Sequence, residues 1–279
     1  MVYRIPKRII QTGKYAQQPL RNRAMMANIR LLNPDYESLF FDEDRVQAFI
    51  NQEFPQYRRV FDSFSFPIQR YDFFRYLAVY RHGGFYFDLD VMLASGLSDL
   101  LECGCVFPFE GLTLSEYLRE HHKMDWEIGN YAFGAAAGHP FLGAIIENCV
   151  RAQEDPTWVK PMMQGLPPFL RAEYLILNTT GPGLISRTLA ENVGLAEMVK
   201  VLFPDDVCDV GNWNRFGDLG IHLMEGSWRA RNGYLRRRVA QRWENWKMQR
   251  LMKESLKFGK TREQAAAGAS GSCRNGGEA

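Results

Sequence analysis

Residues 68–92, IQRYDFFRYLAVYRHGGFYFDLDVM, constrain this chain more than any other stretch. An apolar run with aromatic punctuation stops at Gly83-Gly84 and restarts as Phe85-Tyr86-Phe87, which predicts a helix, a glycine C-cap and a buried strand. Residues two apart on a strand share a face, so Tyr86, Asp88 and Asp90 are expected on one side, with Phe85, Phe87 and Leu89 on the other. Two hard oxygen donors at the mouth of a buried strand suit Mg²⁺ or Mn²⁺, ions that complete their shells with water and substrate phosphates. A phosphorylated substrate is implied.

Asp-x-Asp alone also marks many ordinary strand ends. The preceding helix adds Asp72 and Arg75, three apart and therefore on one helical face. They form either a surface ion pair worth under about 1 kcal/mol or two groups facing the same cleft. The surrounding pattern alternates strand and helix. Residues 4–11 read as a first strand followed by a Thr12-Gly13 loop, residues 22–32 as a helix, and Glu37–Phe41 as a second strand. Asp42 is positioned to cap a helix over residues 43–54. This order predicts an α/β sheet with ligand contacts at strand C-termini.

Further on, residues 106–128 read as an insertion or flexible loop over the cleft. GNYAFGAAAGHP reads as a strand and turn, with a helix from Pro140. In residues 179–183, TTGPG, backbone amides around Gly181 either face a diphosphate or simply start a helix over residues 184–192.

The segment YDFFRYLAVYRHGGFYFDLDV resembles the signature of the family 32 glycosyltransferases, the sugar-binding region containing the DxD motif, which is also similar to the catalytic core of the clostridial glucosylating toxins. Asp72, Arg75, Gly83, Gly84, Tyr86, Asp88 and Asp90 match that signature, and weaker matches run from RIPKRIIQTGK to HLMEGSW. The resemblance implies a GT-A nucleotide-diphospho-sugar transferase fold with a single mixed, mainly parallel sheet and a helical C-terminal extension. It implies Asp90 as a direct Mn²⁺ or Mg²⁺ ligand, Asp88 on ribose or on the metal through water, and His222 as a further ligand. Asp72, Arg75 and Asn130 would hold the donor sugar; Tyr86, Thr12, Gly13, Gly181, Ser227 and Trp228 would line the nucleotide-sugar site. Where the family carries His and Trp in its opening motif this chain has Ile10 and Gly13, leaving Tyr15 as the nearby aromatic for a nucleobase.

The implied reaction retains anomeric configuration. With no nucleophilic carboxylate announcing itself, front-face attack is expected, with the leaving phosphate helping to deprotonate a glycan or lipid-linked acceptor. Synthesis of a surface polysaccharide such as capsule or lipopolysaccharide is the expected setting. Two rivals remain open: a haloacid-dehalogenase-like phosphatase, whose motif expects Thr or Val where this chain has Met92, and a non-catalytic sugar-binding or scaffold protein.

The 279 residues, 46% apolar, suffice for one large core, expected over residues 1–228. Residues 229–260 carry eleven Lys or Arg against Glu244 and Glu254, a net +9, which leaves −7 for residues 1–228. An acidic body argues against nucleic acid and directs any anionic contact to a basic helical extension, residues 229–259. That helix either packs on the body or lies on anionic membrane. Residues 260–279 are expected to be disordered. Without an apolar leader or an eighteen-residue apolar run, the chain is expected to be cytoplasmic, peripheral at the inner face of the membrane. Five cysteines without metal-type spacing suit a reducing compartment.

Overall fold

The computed structural model describes residues 3–224 and 234–258. Nine strands are described: β1 (Arg8–Thr12), β2 (Glu37–Phe41), β3 (Gly84–Phe87), β4 (Val91–Leu93), β5 (Cys105–Leu112), β6 (Trp126–Ile128), β7 (Ala132–Ala135), β8 (Lys200–Leu202) and β9 (Gly220–His222). The longer helices are α1 (Leu20–Leu32), α2 (Glu43–Glu53), α3 (Arg58–Ser63), α4 (Pro67–His82), α5 (Glu116–His122) and α6 (Pro140–Glu154). They continue with α7 (Pro156–Val159), α8 (Arg171–Thr179), α9 (Pro182–Glu191), α10 (Val193–Ala196) and α11 (Tyr234–Phe258).

The main sheet runs β2-β1-β3-β7-β5, with β6 and β8 also pairing with β5. Strands β1, β2, β3, β5 and β8 point the same way and β6 and β7 run against them, so the sheet is mixed and mainly parallel, as expected. Beside this central sheet lies a two-stranded ribbon of β4 and β9. The period of two divides the core between the faces. Ile10, Tyr86, Phe107 and Phe133 pack under α2, α4 and α6, while Ile9, Phe85, Phe87 and Val106 pack with Ile29 of α1 and Val91 of β4.

Helix α4 stops where Gly83 turns left-handed at φ 65°, and Gly84 follows at φ 112°. A Cβ on Gly84 would lie 2.6 Å from the Arg8 carbonyl oxygen, so glycine lets β3 close onto β1. The expected α2 is present with Asp42 as its cap, its carboxylate accepting from the Arg45 N–H at 2.9 Å. Residues 106–128 are not a flexible loop. They supply most of β5, then α5 and β6, because β7 and β8 flank β5 and satisfy its backbone from distant sequence.

The small sheet anchors the strand mouth. Asn28 of α1 both donates to the Leu93 carbonyl at 3.0 Å and accepts from the Leu93 N–H at 2.8 Å. Strand β9 pairs Val91 with His222, and the Leu223 N–H donates to the Asp90 carbonyl at 2.9 Å. These contacts carry His222 to the acidic turn.

Among the described residues no helix is long and apolar enough to cross a membrane. Helix α11 lies on the body along one face. The Tyr174 hydroxyl donates to Glu244 at 3.1 Å, Lys247 pairs with Glu116 at 3.6 Å, and Leu251 is buried. The 260–279 tail lies outside the described residues.

Candidate active site

Strands β1, β3 and β5 end at the same edge of the sheet, and a cleft of about 610 Å³ opens there. That volume is ordinary for a small-molecule site. The chain leaves β1 for β2 on one side and returns to β3 on the other, so the crevice lies at a switch point of the sheet, where α/β folds bind ligands.

The cleft floor is a buried polar cluster on α4. Asp72 and Arg75, 4% and 3% exposed, pair at 3.0 Å, which removes the surface-pair reading. The Arg75 guanidinium also donates to the Asn130 carbonyl at 2.8 Å, lies 3.3 Å from Asp88 Oδ1 and stands over the Tyr86 ring at 4.7 Å. Asp72 accepts from Asn130 Nδ2 at 3.1 Å and from the Thr180 hydroxyl at 3.0 Å. Tyr76, one helical turn after Asp72, accepts from Asn130 at 2.9 Å and donates to the Thr180 carbonyl at 2.6 Å.

Burial pushes the Asp72 carboxyl up to about 6, against the pull of Arg75 and with a further push from Asp88. Burial works against the charged guanidinium of Arg75, yet Asp88, Tyr86 and Asp72 more than offset it and its pKa is raised. The same network holds the Tyr86 phenol protonated, burial being the main cause, and its hydroxyl donates to Asp88 Oδ1 at 2.9 Å.

Asp88 and Asp90 differ from the expected strand alternation. Strand β3 ends at Phe87, and residues 88–90 turn, with the Asp88 N–H donating to the Tyr131 carbonyl at 2.7 Å and the Val91 N–H to the Asp88 carbonyl at 3.2 Å. The turn still brings both carboxylates into the cleft. Ligand atoms of Asp88, Asp90 and His222 lie within 4.8 Å of one another, and this is the only such group among the described residues. His222 Nε2 stands 3.2 Å from Asp90, its ring stacks on Tyr131 at 4.3 Å, and its buried Nδ1 has no hydrogen-bond partner. Burial lowers the His222 pKa, but the Asp90 hydrogen bond with Asp88, Asp90 and Glu110 nearby leaves it raised. Two carboxylates and one imidazole are a donor set that fits Mn²⁺ or Mg²⁺ with open positions for phosphate oxygens.

Of the other expected residues, Thr12, Gly13 and Tyr15 line the cleft. The Thr12 hydroxyl and the Gly13 N–H both donate to the Phe41 carbonyl, at 2.8 and 3.0 Å, so this loop is braced from behind. Tyr15 is 63% exposed. Gly181 lines the opposite wall, but its N–H and that of Thr180 donate to the Ile176 carbonyl. Those two amides close α8 and do not face a diphosphate. Ser227 and Trp228 lie outside the described residues.

Tyr131 and Glu110 line the cleft, and the fully buried Thr180 and Tyr76 hold its polar floor, without having been expected there. Tyr76 had a signal in its four-residue spacing from Asp72. Glu110 had one as the lone acid in the apolar run CVFPFEGL.

A buried ion pair, a cleft of small-molecule size and an acidic metal-type cluster make up one candidate site. Residues 19–105 match the family model described as the glycosyltransferase sugar-binding region containing DXD motif. The chain is 32% identical over 147 residues to inositol phosphoceramide mannosyltransferase 3 of Schizosaccharomyces pombe, a match covering 53% of this chain and 38% of that protein. It is 28% identical over 182 residues to a mannosyl phosphorylinositol ceramide synthase of Saccharomyces cerevisiae, covering 65% of this chain and 41% of the relative. The matches thus span less than half the length of these relatives. Among solved structures, the PaToxG glycosyltransferase superposes with a TM-score of 0.47 at 15% identity, over 70% of this chain and 76% of that one.

Proposed function

We propose that this chain is a metal-dependent, retaining GT-A glycosyltransferase that moves a hexose, mannose in the first instance, from a nucleotide diphosphate to an inositol-bearing lipid. The observation that carries this reading is the single cleft in which Asp88, Asp90 and His222 converge beside the buried Asp72–Arg75–Asn130 cluster. The names of the relatives favour mannose and an inositol phosphoceramide-like acceptor over capsule or lipopolysaccharide.

Asp88, Asp90 and His222 would hold Mn²⁺ or Mg²⁺, and the ion would neutralise charge on the leaving diphosphate as a Lewis acid. The chain's own groups do the rest. The Asp72 carboxylate accepts hydrogen bonds from sugar hydroxyls, and Asn130 is held in line by Asp72 and Tyr76. Arg75 fixes Asp88 and Asp72 together, so the geometry exists before the donor arrives. Tyr15 is available to a nucleobase at the open end of the β1 loop. A haloacid-dehalogenase-like phosphatase would leave the buried Asp72–Arg75 pair without a role.

The same proposal includes a peripheral position at the cytoplasmic face of an anionic membrane. The exposed side of α11 supports it: Val239, Arg242, Trp246, Arg250 and Lys253 recur at helical spacing opposite the docked side, and Trp246 is 56% exposed. Among the described residues, Cys105, Cys149 and Cys208 form no disulfide, which suits that compartment.

The test is transfer itself. Mannose and glucose linked to uridine or guanosine diphosphate are incubated with Mn²⁺ and inositol phosphoceramide in mixed micelles, and the lipid product is identified by mass and anomeric configuration. One donor is expected to give an α-linked hexosyl lipid. Hydrolysis of a generic phosphoester without transfer would overturn the reading.

A further inference from the structure

The cleft is a row laid across the strand ends. Thr12 ends β1 and Gly13 follows it, Asp88 follows β3, residues 130–131 lead into β7, and Glu110 lies near the end of β5. Adjacent strands are about 4.8 Å apart, so β5 stands two strands, about 10 Å, beyond β3 on the side away from the β1 loop. The donor nucleotide belongs to the β1–β3 half, because the switch point lies there and the metal-type cluster ends β3. The β5 half is left for the second substrate.

Glu110 faces that half for a structural reason. Phe109 pairs with Ile128 and Gly111 with Glu127, so the register slips by one residue and Glu110 is the extra residue of a β-bulge. Bulges bend a strand locally and re-aim one side chain. Without the bulge, an acid inside a strand whose neighbours are buried would be directed into apolar surroundings. Gly129 completes the arrangement: any side chain there would collide with Glu110 Oε2, and its absence leaves room for the carboxylate beside Asn130. Tyr131 and the apolar Ile176 and Leu177 of α8 also line the cleft.

We propose that Glu110 is an acceptor-binding residue, whose carboxylate accepts hydrogen bonds from hydroxyls of a polyhydroxylated acceptor and orients the attacking one toward the donor. An ionised carboxylate offers acceptors only, so it selects groups that donate. It binds neighbouring hydroxyls with charge-assisted bonds. The inference rests on the reading of the cleft as a sugar-transfer site.

The experiment compares wild type with Glu110→Gln and Glu110→Ala, using inositol phosphoceramide micelles and soluble myo-inositol as acceptor probes. Acceptor KM and kcat are measured, and nucleotide-sugar affinity is measured by calorimetry with Mn²⁺ and no acceptor. The acceptor KM is expected to rise about tenfold or more in Glu110→Ala and less in Glu110→Gln, with nucleotide-sugar affinity held. Unchanged acceptor kinetics, equal weakening of donor and acceptor, or no transfer to either probe by a donor-binding wild type would each overturn the assignment of Glu110 alone. A wild type that binds no nucleotide sugar would overturn the transfer reading, and this proposal with it.

Discussion

Arg75 is the side chain on which the site's geometry most depends. It faces Asp72, Asp88, the Asn130 carbonyl and the Tyr86 ring while nearly fully buried. Arg75→Ala would leave two carboxylates close together without their cation, a loss that costs about 3–5 kcal/mol for a buried pair. Urea denaturation should show that cost, together with turnover lowered by orders of magnitude; wild-type stability and rate would mean that the pair is a bystander. Asp72 gives a pH signature. Its folded pKa, about 6, lies above the ordinary carboxylate value, so between about 4 and 6 the native state holds a proton that the unfolded chain has lost. Its contribution therefore makes stability fall as pH rises through that window. Asp72→Asn should flatten the fall, and denaturation midpoints at pH 4 and 6.5 for both proteins check it. Equal slopes would remove Asp72 as the cause. The types and spacing of these residues were legible in the sequence, but their burial was not. It comes from Thr180 and Asn130, which are 108 and 58 residues from Asp72 and meet it only in the folded chain.

At the scale of elements, the turn between α4 and β3 is the joint that aims the acidic pair. Gly84→Ala would force a Cβ against the Arg8 carbonyl at a positive φ and should destabilise by at least about 2 kcal/mol. Activity would fall with it, and a thermal melt matching wild type would show that β1 and β3 can separate without harm. This joint could be read from Gly83-Gly84, as β2 and α2 could from a strand-type run and the Asp42 cap, because each is written in neighbouring residues. Strand β5 could not. Pro108, Glu110 and Gly111 break its pattern, and its pairing partners come from β6, β7 and the distant β8. The docking of α11 was hidden for a related reason. Its partners Glu116 and Tyr174 lie in segments that carry no readable periodicity.

Over the whole molecule, charge is divided between an acidic body and a basic extension, most of which is α11. The helix meets the body through Tyr174 of α8, the same helix whose Ile176 and Leu177 wall the cleft. Each basic residue near an anionic surface contributes about 1 kcal/mol, and Trp246 adds an apolar anchor. Arg242→Glu combined with Trp246→Ala should release the protein from anionic vesicles at moderate salt and leave its melt unchanged, since neither side chain is buried. Co-sedimentation with anionic and neutral vesicles measures this, and salt-insensitive binding or none by the wild type would contradict the membrane contact. In the proposed function, the acidic turn after β3 would hold a metal that in turn holds a nucleotide sugar. Calorimetric titration of nucleotide-diphosphate mannose into wild type and Asp90→Asn, each with Mn²⁺ and with chelator, tests it most directly. The account predicts binding by wild type only with Mn²⁺ and its loss in Asp90→Asn at an unchanged melting temperature; binding that survives chelation or that substitution would contradict it.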